Sequence, residues 1–180
     1  MTGRIVVVPY DPEWPAHFAT IEATLRAALS DVPVVAIEHV GSTSVPGLAA
    51  KPIIDVDVVV EAPHIAPAIA ALQAVGYEHK GELGVAHRHA FETPPGHLRQ
   101  NTYVVLAGSL GLRNHLAVRD TLRVRPDLAA EYATVKAALA DRTDDIFEYI
   151  DGKTSVLLRI LEAAGLTAAE RDEIERINVL

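Results

Sequence analysis

Cysteine is missing from the chain, which excludes a disulfide framework, a thiol nucleophile and any thiolate-bound metal. Aromatic residues make up only 5% of it, so the stacking platforms that grip single-stranded nucleic acid are scarce. Positive charge is also in deficit. Sixteen lysines and arginines face 24 acids, a net charge of -8 that argues against a general nucleic-acid binder. No apolar run approaches a membrane span, and the N-terminal MTGRIVVVPYDPEW has neither the apolar length nor the cleavage-like site of a secretory signal. These absences lead us to expect a soluble, cytoplasmic protein. Its 180 residues suffice for a core without staples.

What is present centres on Val40 to Val60, VGSTSVPGLAAKPIIDVDVVV. The run from Pro52 to Val60 is nearly continuous and β-branched, the pattern of a strand buried on both faces. Within it Asp55 and Asp57 stand one residue apart and therefore share a face, opposite Ile54, Val56 and Val58. Two like charges in a half-buried place raise each other's pKa unless a cation or strong donors neutralise them. A divalent metal would do so, whereas the plain alternative is a pair of edge-strand charges facing water.

The flanking elements read as a mixed α+β chain. Arg4 to Val8 is expected as a short strand. Trp14, Phe18, Ile21, Leu25 and Leu29 recur at three- and four-residue steps, giving an amphipathic helix over 13–29. A second strand spans 34–40, and an Ala-rich helix spans 65–75 and closes at Gly76. Strands near 88–92 and 100–106 flank Pro94-Pro95-Gly96 as a hairpin. Helices follow over 110–123, 128–140 with Asp127 as cap, and 146–163. A last helix begins at Thr167 with Glu170 three residues on, a capping-box pattern. The division expected is a sheet-bearing core over 1–108 and a helical C-terminal part over 109–180, packed as one compact unit.

The Gly41-Ser42 turn and the Asp-x-Asp strand do complementary work in nucleotidyl transfer. Carboxylate-bound Mg²⁺ steadies charge on the phosphoryl oxygens of a nucleoside triphosphate. Glycine permits close backbone approach, while the donors of Ser42, Thr43 and Ser44 hold phosphate oxygens. Lys51, at the loop exit, reads equally as a phosphate contact or a solvated lysine. Arg99, Arg113, Arg119, Arg123 and Arg125 face the single acid Asp120, a local basic island in an acidic chain. Arg119 is the expected anion contact there, against an alternative in which Arg119 and Arg123 form a surface ladder of ion pairs. His87, His89 and His97 raise the thought of a transition-metal site, but neither thiolate nor compact helical spacing supports it.

Val40-Gly41-Ser42, twelve residues, then Asp55-Val56-Asp57-Val58 resembles the nucleotidyltransferase superfamily signature. More of the chain resembles the GrpB (UPF0157) family: IEHVGSTSVPGLAAKPIIDVDVVV from Ile37 to Val60, Gly81 to Gly84, HLAVRDTLR from His115 to Arg123, Tyr132 with Lys136, and Lys153. The resemblance implies a nucleotidyltransferase-like mixed β-sheet with flanking helices and a helical C-terminal part. It adds Lys136 and Lys153 to the candidate ligand-binding set. Related domains occur fused to dephospho-CoA kinase, which offers an alternative reading as a non-catalytic accessory domain. One departure bears on activity: active members carry a third carboxylate on a later strand, and RQNTYVVL over 99–106 supplies Asn101 and Tyr103 but no acid. Glu38 and Glu92 are the conceivable substitutes. The expectation is thus a cleft for a nucleoside triphosphate or other small phosphorylated ligand with Mg²⁺ on Asp55 and Asp57, transferring a nucleoside monophosphate if it turns over.

Overall fold

The computed structural model describes residues 4–178. Five strands form one mixed sheet in the order β1-β2-β5-β4-β3: β1 (Ala36–Val40), β2 (Ile54–Val60), β3 (Glu78–Gly81), β4 (Arg88–Glu92) and β5 (Gln100–Leu106). Only β2 and β5 run parallel, with Asp55 beside Asn101 and Asp57 beside Tyr103. The β1–β2 pair is antiparallel and sets Val40 opposite Asp55 and Glu38 opposite Asp57. The Val/Ile-rich β2 is therefore central and paired on both edges, which suits a strand with few polar side chains.

One sheet face is covered by α1 (Trp14–Ala28) and α2 (Ile65–Ala74). Here Ile54, Val56, Val58, Val60 and Val104 meet Trp14, Ile21, Leu25 and Leu72 in the main core. The opposite face, which carries the aspartates, is covered by the helical half: α3 (Leu110–Val124), α4 (Pro126–Arg142), α5 (Ile146–Gly152), α6 (Thr154–Ala163) and α7 (Ala168–Asn178). Leu112 of α3 packs on Val59 and Val105, and Leu122, Tyr132, Val156 and Ile160 enclose Val45 and Leu48 from the turn region. No helix among the described residues is long and apolar enough to cross a membrane.

Three local expectations change, and β3 falls where no strand is expected. The segment 4–8 forms no strand: only Val8 pairs, with Ala50, while Ile5 buries against Leu139 and Tyr149 and its N–H goes to Asp144. β3 has no apolar alternation in EHKG; it is an edge strand on which Lys80 bridges Glu78 and Glu92. Asp127 lies inside the first turn of α4, clasping Arg125, and Pro126 opens the helix instead. The expected helix over 146–163 breaks at Lys153. A Cβ on the preceding Gly152 would stand 2.5 Å from Leu139 Cδ2, so any larger residue where the chain turns has to displace the Leu139 side chain of α4. The capping box at Thr167 and Glu170 is formed as expected, with reciprocal bonds of 3.3 and 2.8 Å.

Candidate functional site

The turn after β1 is built around Gly41, whose φ of 69° and ψ of -173° belong to a region essentially reserved for glycine. A Cβ there would lie 2.1 Å from Asp55 Oδ2, so the turn backbone runs directly against the carboxylate. Ser44 Oγ donates to the Gly41 carbonyl at 2.6 Å and closes the turn. Thr43 Oγ1 sits 3.0 Å from His39 Nε2. Burial, with Arg123 and Arg119 nearby, pushes His39 down to about 4, so this ring is neutral.

The two aspartates share a face but have different surroundings. Asp55 borders the cleft and accepts Asn101 Nδ2 at 2.7 Å. Burial raises its pKa, and the Asn101 bond only partly opposes this. Asp57 is fully buried; its Oδ2 is 2.8 Å from His115 Nδ1, and its Oδ1 has no hydrogen-bond partner. His115 is held above its ordinary value: burial pulls it down, but the charge and hydrogen bond of Asp57 outweigh that. The place beside the pair on β5 is thus taken by an amide, with an imidazole arriving from α3. Neither proposed substitute acid fills it. Glu38 stands opposite Asp57 in register but binds Arg119 at 2.6 Å, and Glu92 is on the far hairpin, paired with Lys80.

Above this floor lies a cavity of about 300 Å³ roofed by the helical half. Tyr132 and Lys136, four apart on α4, share one face and point into it. Tyr149 comes from α5 and Lys153 from the break before α6. The Lys136 ammonium donates to the Ala49 carbonyl at 2.7 Å. Those of Lys153 and Lys51 lie 4.5 and 5.5 Å from the Tyr149 ring centroid. Burial first, then the neighbouring Lys153 charge, pushes Lys136 down to about 7, and burial pushes Lys153 down to about 8. Burial likewise lowers Lys51, with Lys153 adding to the shift. Three ammonium groups converge here with one carboxylate facing them, in a protein of net charge -8. The charge balance of the cleft is therefore positive.

Of the residues singled out in the sequence, Gly41, Ser42, Thr43, Lys51, Asp55, Lys136 and Lys153 line this one cleft. Ser44 and Asp57 are buried beside it, one holding the turn and the other beneath His115. Arg119 is elsewhere. It spans from α3 to Glu38 and the His39 carbonyl and also holds Asp120, while Arg123 clamps the Ser44 carbonyl at 2.7 Å. The basic island therefore does not form one patch: these two arginines act as struts between α3 and the β1 turn. Arg113 meets Glu170 and Arg125 meets Asp127. His115 and Tyr149 are the cleft residues that sequence reasoning passed over. His115 carried a usable signal, since it lies four residues before Arg119 on the α3 face that meets the sheet.

Mg²⁺ is commonly held by one or two carboxylates, with phosphate and water completing its shell. The unpartnered Asp57 Oδ1, next to Asp55 across one residue, fits such a role. Among the described residues no group of three or more His, Cys, Asp or Glu is placed to hold a metal. The fit is therefore to a single ion shared with a phosphorylated ligand.

The fold and site define a mixed α+β protein whose Gly-Ser turn abuts an acid-x-acid strand. Within that class the chain belongs to the GrpB protein family, whose model matches residues 4–163. A UPF0157 protein of Pseudomonas aeruginosa is 43% identical over 166 residues, 89% of this chain and 68% of the relative. A UPF0157 protein of Bacillus subtilis is 34% identical over 152 residues, 83% of this chain but 44% of its own length. The crystal structure of conserved protein GrpB from Enterococcus faecalis superposes with a TM-score of 0.77 at 33% identity, covering 88% of this chain and 96% of that one. A dephospho-CoA kinase of Mycolicibacterium paratuberculosis is 30% identical over 171 residues, and the match takes in 42% of that protein.

Proposed function

We propose that the cleft binds the polyphosphate of a nucleoside triphosphate, using Lys51, Lys136 and Lys153 for charge and the Ser42–Thr43 turn for hydrogen bonds. The observation that carries this reading is the convergence of three ammonium groups above Asp55, at the turn whose glycine keeps the backbone against the carboxylate. Asp55 and Asp57 would hold one Mg²⁺, which supplies charge neutralisation of phosphoryl oxygens. The remaining work falls to the chain's own groups. Asn101 orients Asp55, and Asp57 orients the His115 imidazole at the cleft wall, which offers positive charge when protonated and a proton acceptor when neutral.

Titration calorimetry with ATP, GTP, CTP and UTP, with Mg²⁺ or with EDTA, tests the reading. We expect micromolar to millimolar binding that Mg²⁺ strengthens, and at least a tenfold loss in Asp55→Ala and in Lys136→Met, with far-UV circular dichroism unchanged. Equal affinity in wild type and both variants would sink it. The amide at the third-acid position favours a second reading, ligand binding without turnover. Pyrophosphate release above that of an Asp57→Asn control would exclude that second reading and establish transfer.

A further inference from the structure

The sixteen cations of this chain are almost all accounted for. Eight pair with carboxylates: Arg26, Lys80, Arg113, Arg119, Arg125, Arg142, Arg159 and Arg171. Arg123, Arg176 and Lys136 donate to backbone carbonyls, and Arg88 lies over the Tyr103 ring. Arg88 has neither a carboxylate nor a hydrogen-bond partner; among the described residues the same holds of Arg4, Lys51, Arg99 and Lys153, of which Lys51 and Lys153 face the Tyr149 ring. The latter four are far apart in sequence, yet all border two adjoining cavities. Lys51 and Lys153 line the cleft described above; Arg4, Lys51 and Arg99 line a second cavity of about 320 Å³, and Lys51 and Ile53 are walls of both. Four cations without a carboxylate or hydrogen-bond partner thus lie along one path in an acidic protein.

The second cavity has three cations against a single carboxylate, Asp144, whose Oδ1 already accepts the Ile5 N–H at 3.1 Å. A surplus of two positive charges matches a phosphate dianion. Two guanidinium forks supply the planar, bidentate geometry that a phosphate monoester accepts. We propose that this cavity is a separate anion site for the phosphate group of a second, phosphorylated small molecule, bound next to the polyphosphate cleft with Lys51 between them. Resting on the reading of the cleft only for the identity of its neighbour, the assignment makes the acceptor in any transfer a phosphorylated metabolite. Because Arg4 and Arg99 are exposed, binding weakens as salt rises.

The test is ligand-observed ³¹P NMR on the full chain, reading line broadening of inorganic phosphate and of glycerol 3-phosphate. The expected result is broadening in wild type that persists when ATP and Mg²⁺ saturate the cleft. Measured with ATP and Mg²⁺ saturating the cleft, it should fall several-fold in Arg99→Gln and in Arg4→Gln, and disappear in the double variant, while ATP affinity stays within twofold. Acetate, followed by ¹³C NMR, should bind at least tenfold more weakly. Broadening that vanishes on ATP saturation, that survives the double variant, or that acetate matches would overturn the proposal. If ATP does not bind at all, the reading of the cleft fails. The dependence of phosphate binding on Arg4 and Arg99, measured without ATP, then still decides for or against the second site.

Discussion

Gly41 and the buried lysines set what single residues contribute. Gly41→Ala would place a methyl group against the Asp55 carboxylate and force a non-glycine residue into a glycine-only region. Such strain costs about 1–3 kcal/mol. With the carboxylate displaced as well, we expect a stability loss of about 2–4 kcal/mol in urea unfolding, and loss of ligand binding even where the variant is folded. Lys136 and Lys153 make a prediction of opposite character. Their folded pKa values, about 7 and about 8, lie below the ordinary lysine value of 10.5. Between these limits the unfolded chain holds more protons than the native one, so the two lysines make stability rise with pH from about 7 to about 10. Anion binding runs the other way, since it favours the charged ammonium. Affinity for inorganic tripolyphosphate should fall several-fold from pH 7 to pH 9. Binding at pH 8 should take up protons, seen as a calorimetric enthalpy that changes with the buffer's ionisation heat.

At the scale of elements, α3 is fastened to the β1 turn by Arg119 and Arg123, whose partners are about eighty residues away in sequence. Removing Arg119 leaves Glu38 half-buried without its cation. Arg119→Ala should lower stability by about 1–3 kcal/mol, the range for a lost charged hydrogen bond, while ATP affinity with Mg²⁺ stays near wild type. A tenfold loss of affinity at unchanged stability would instead return Arg119 to the ligand. The α5–α6 break is similarly specific. Gly152→Ala drives a methyl group into Leu139, an overpacking change worth about 1–3 kcal/mol, and shifts Lys153, so stability and ligand affinity should fall together.

For the whole molecule, the cleft exists only because the helical half sits on the aspartate face of the sheet. Val45 and Leu48 from the turn share one cluster with Leu122, Tyr132, Val156 and Ile160. The two halves should therefore unfold together. The single tryptophan, Trp14, is buried in the sheet-side core, and far-UV circular dichroism is dominated by the C-terminal helices, so the two signals report different halves. Coincident urea transitions are expected; a fluorescence midpoint separated from the dichroism midpoint would show two independent units.

Much of this was legible in the order of residues. The β-branched run of β2, the three- and four-residue apolar steps of α1, the Pro-Pro-Gly hairpin and the Thr167–Glu170 box are local patterns, and local sterics and hydrogen bonding decide them. So is the Gly-Ser turn ahead of Asp-x-Asp, because strand alternation alone puts both carboxylates on one face. What local pattern could not decide is which charges meet. Arg119 reads from the sequence as the stronger anion contact than Lys136, yet Arg119 is held by Glu38 and Lys136 opens into the cleft. Likewise Asp55 and Asp57 look equivalent, but only the first borders the cleft, while the second lies behind it with one oxygen bonded to His115 of α3 and the other without a partner. Arg4, Lys51 and Arg99 gather at one cavity through long-range packing. Partner choice among charges depends on distances across the fold and on burial, and those quantities exist only once the helical layer has closed on the sheet.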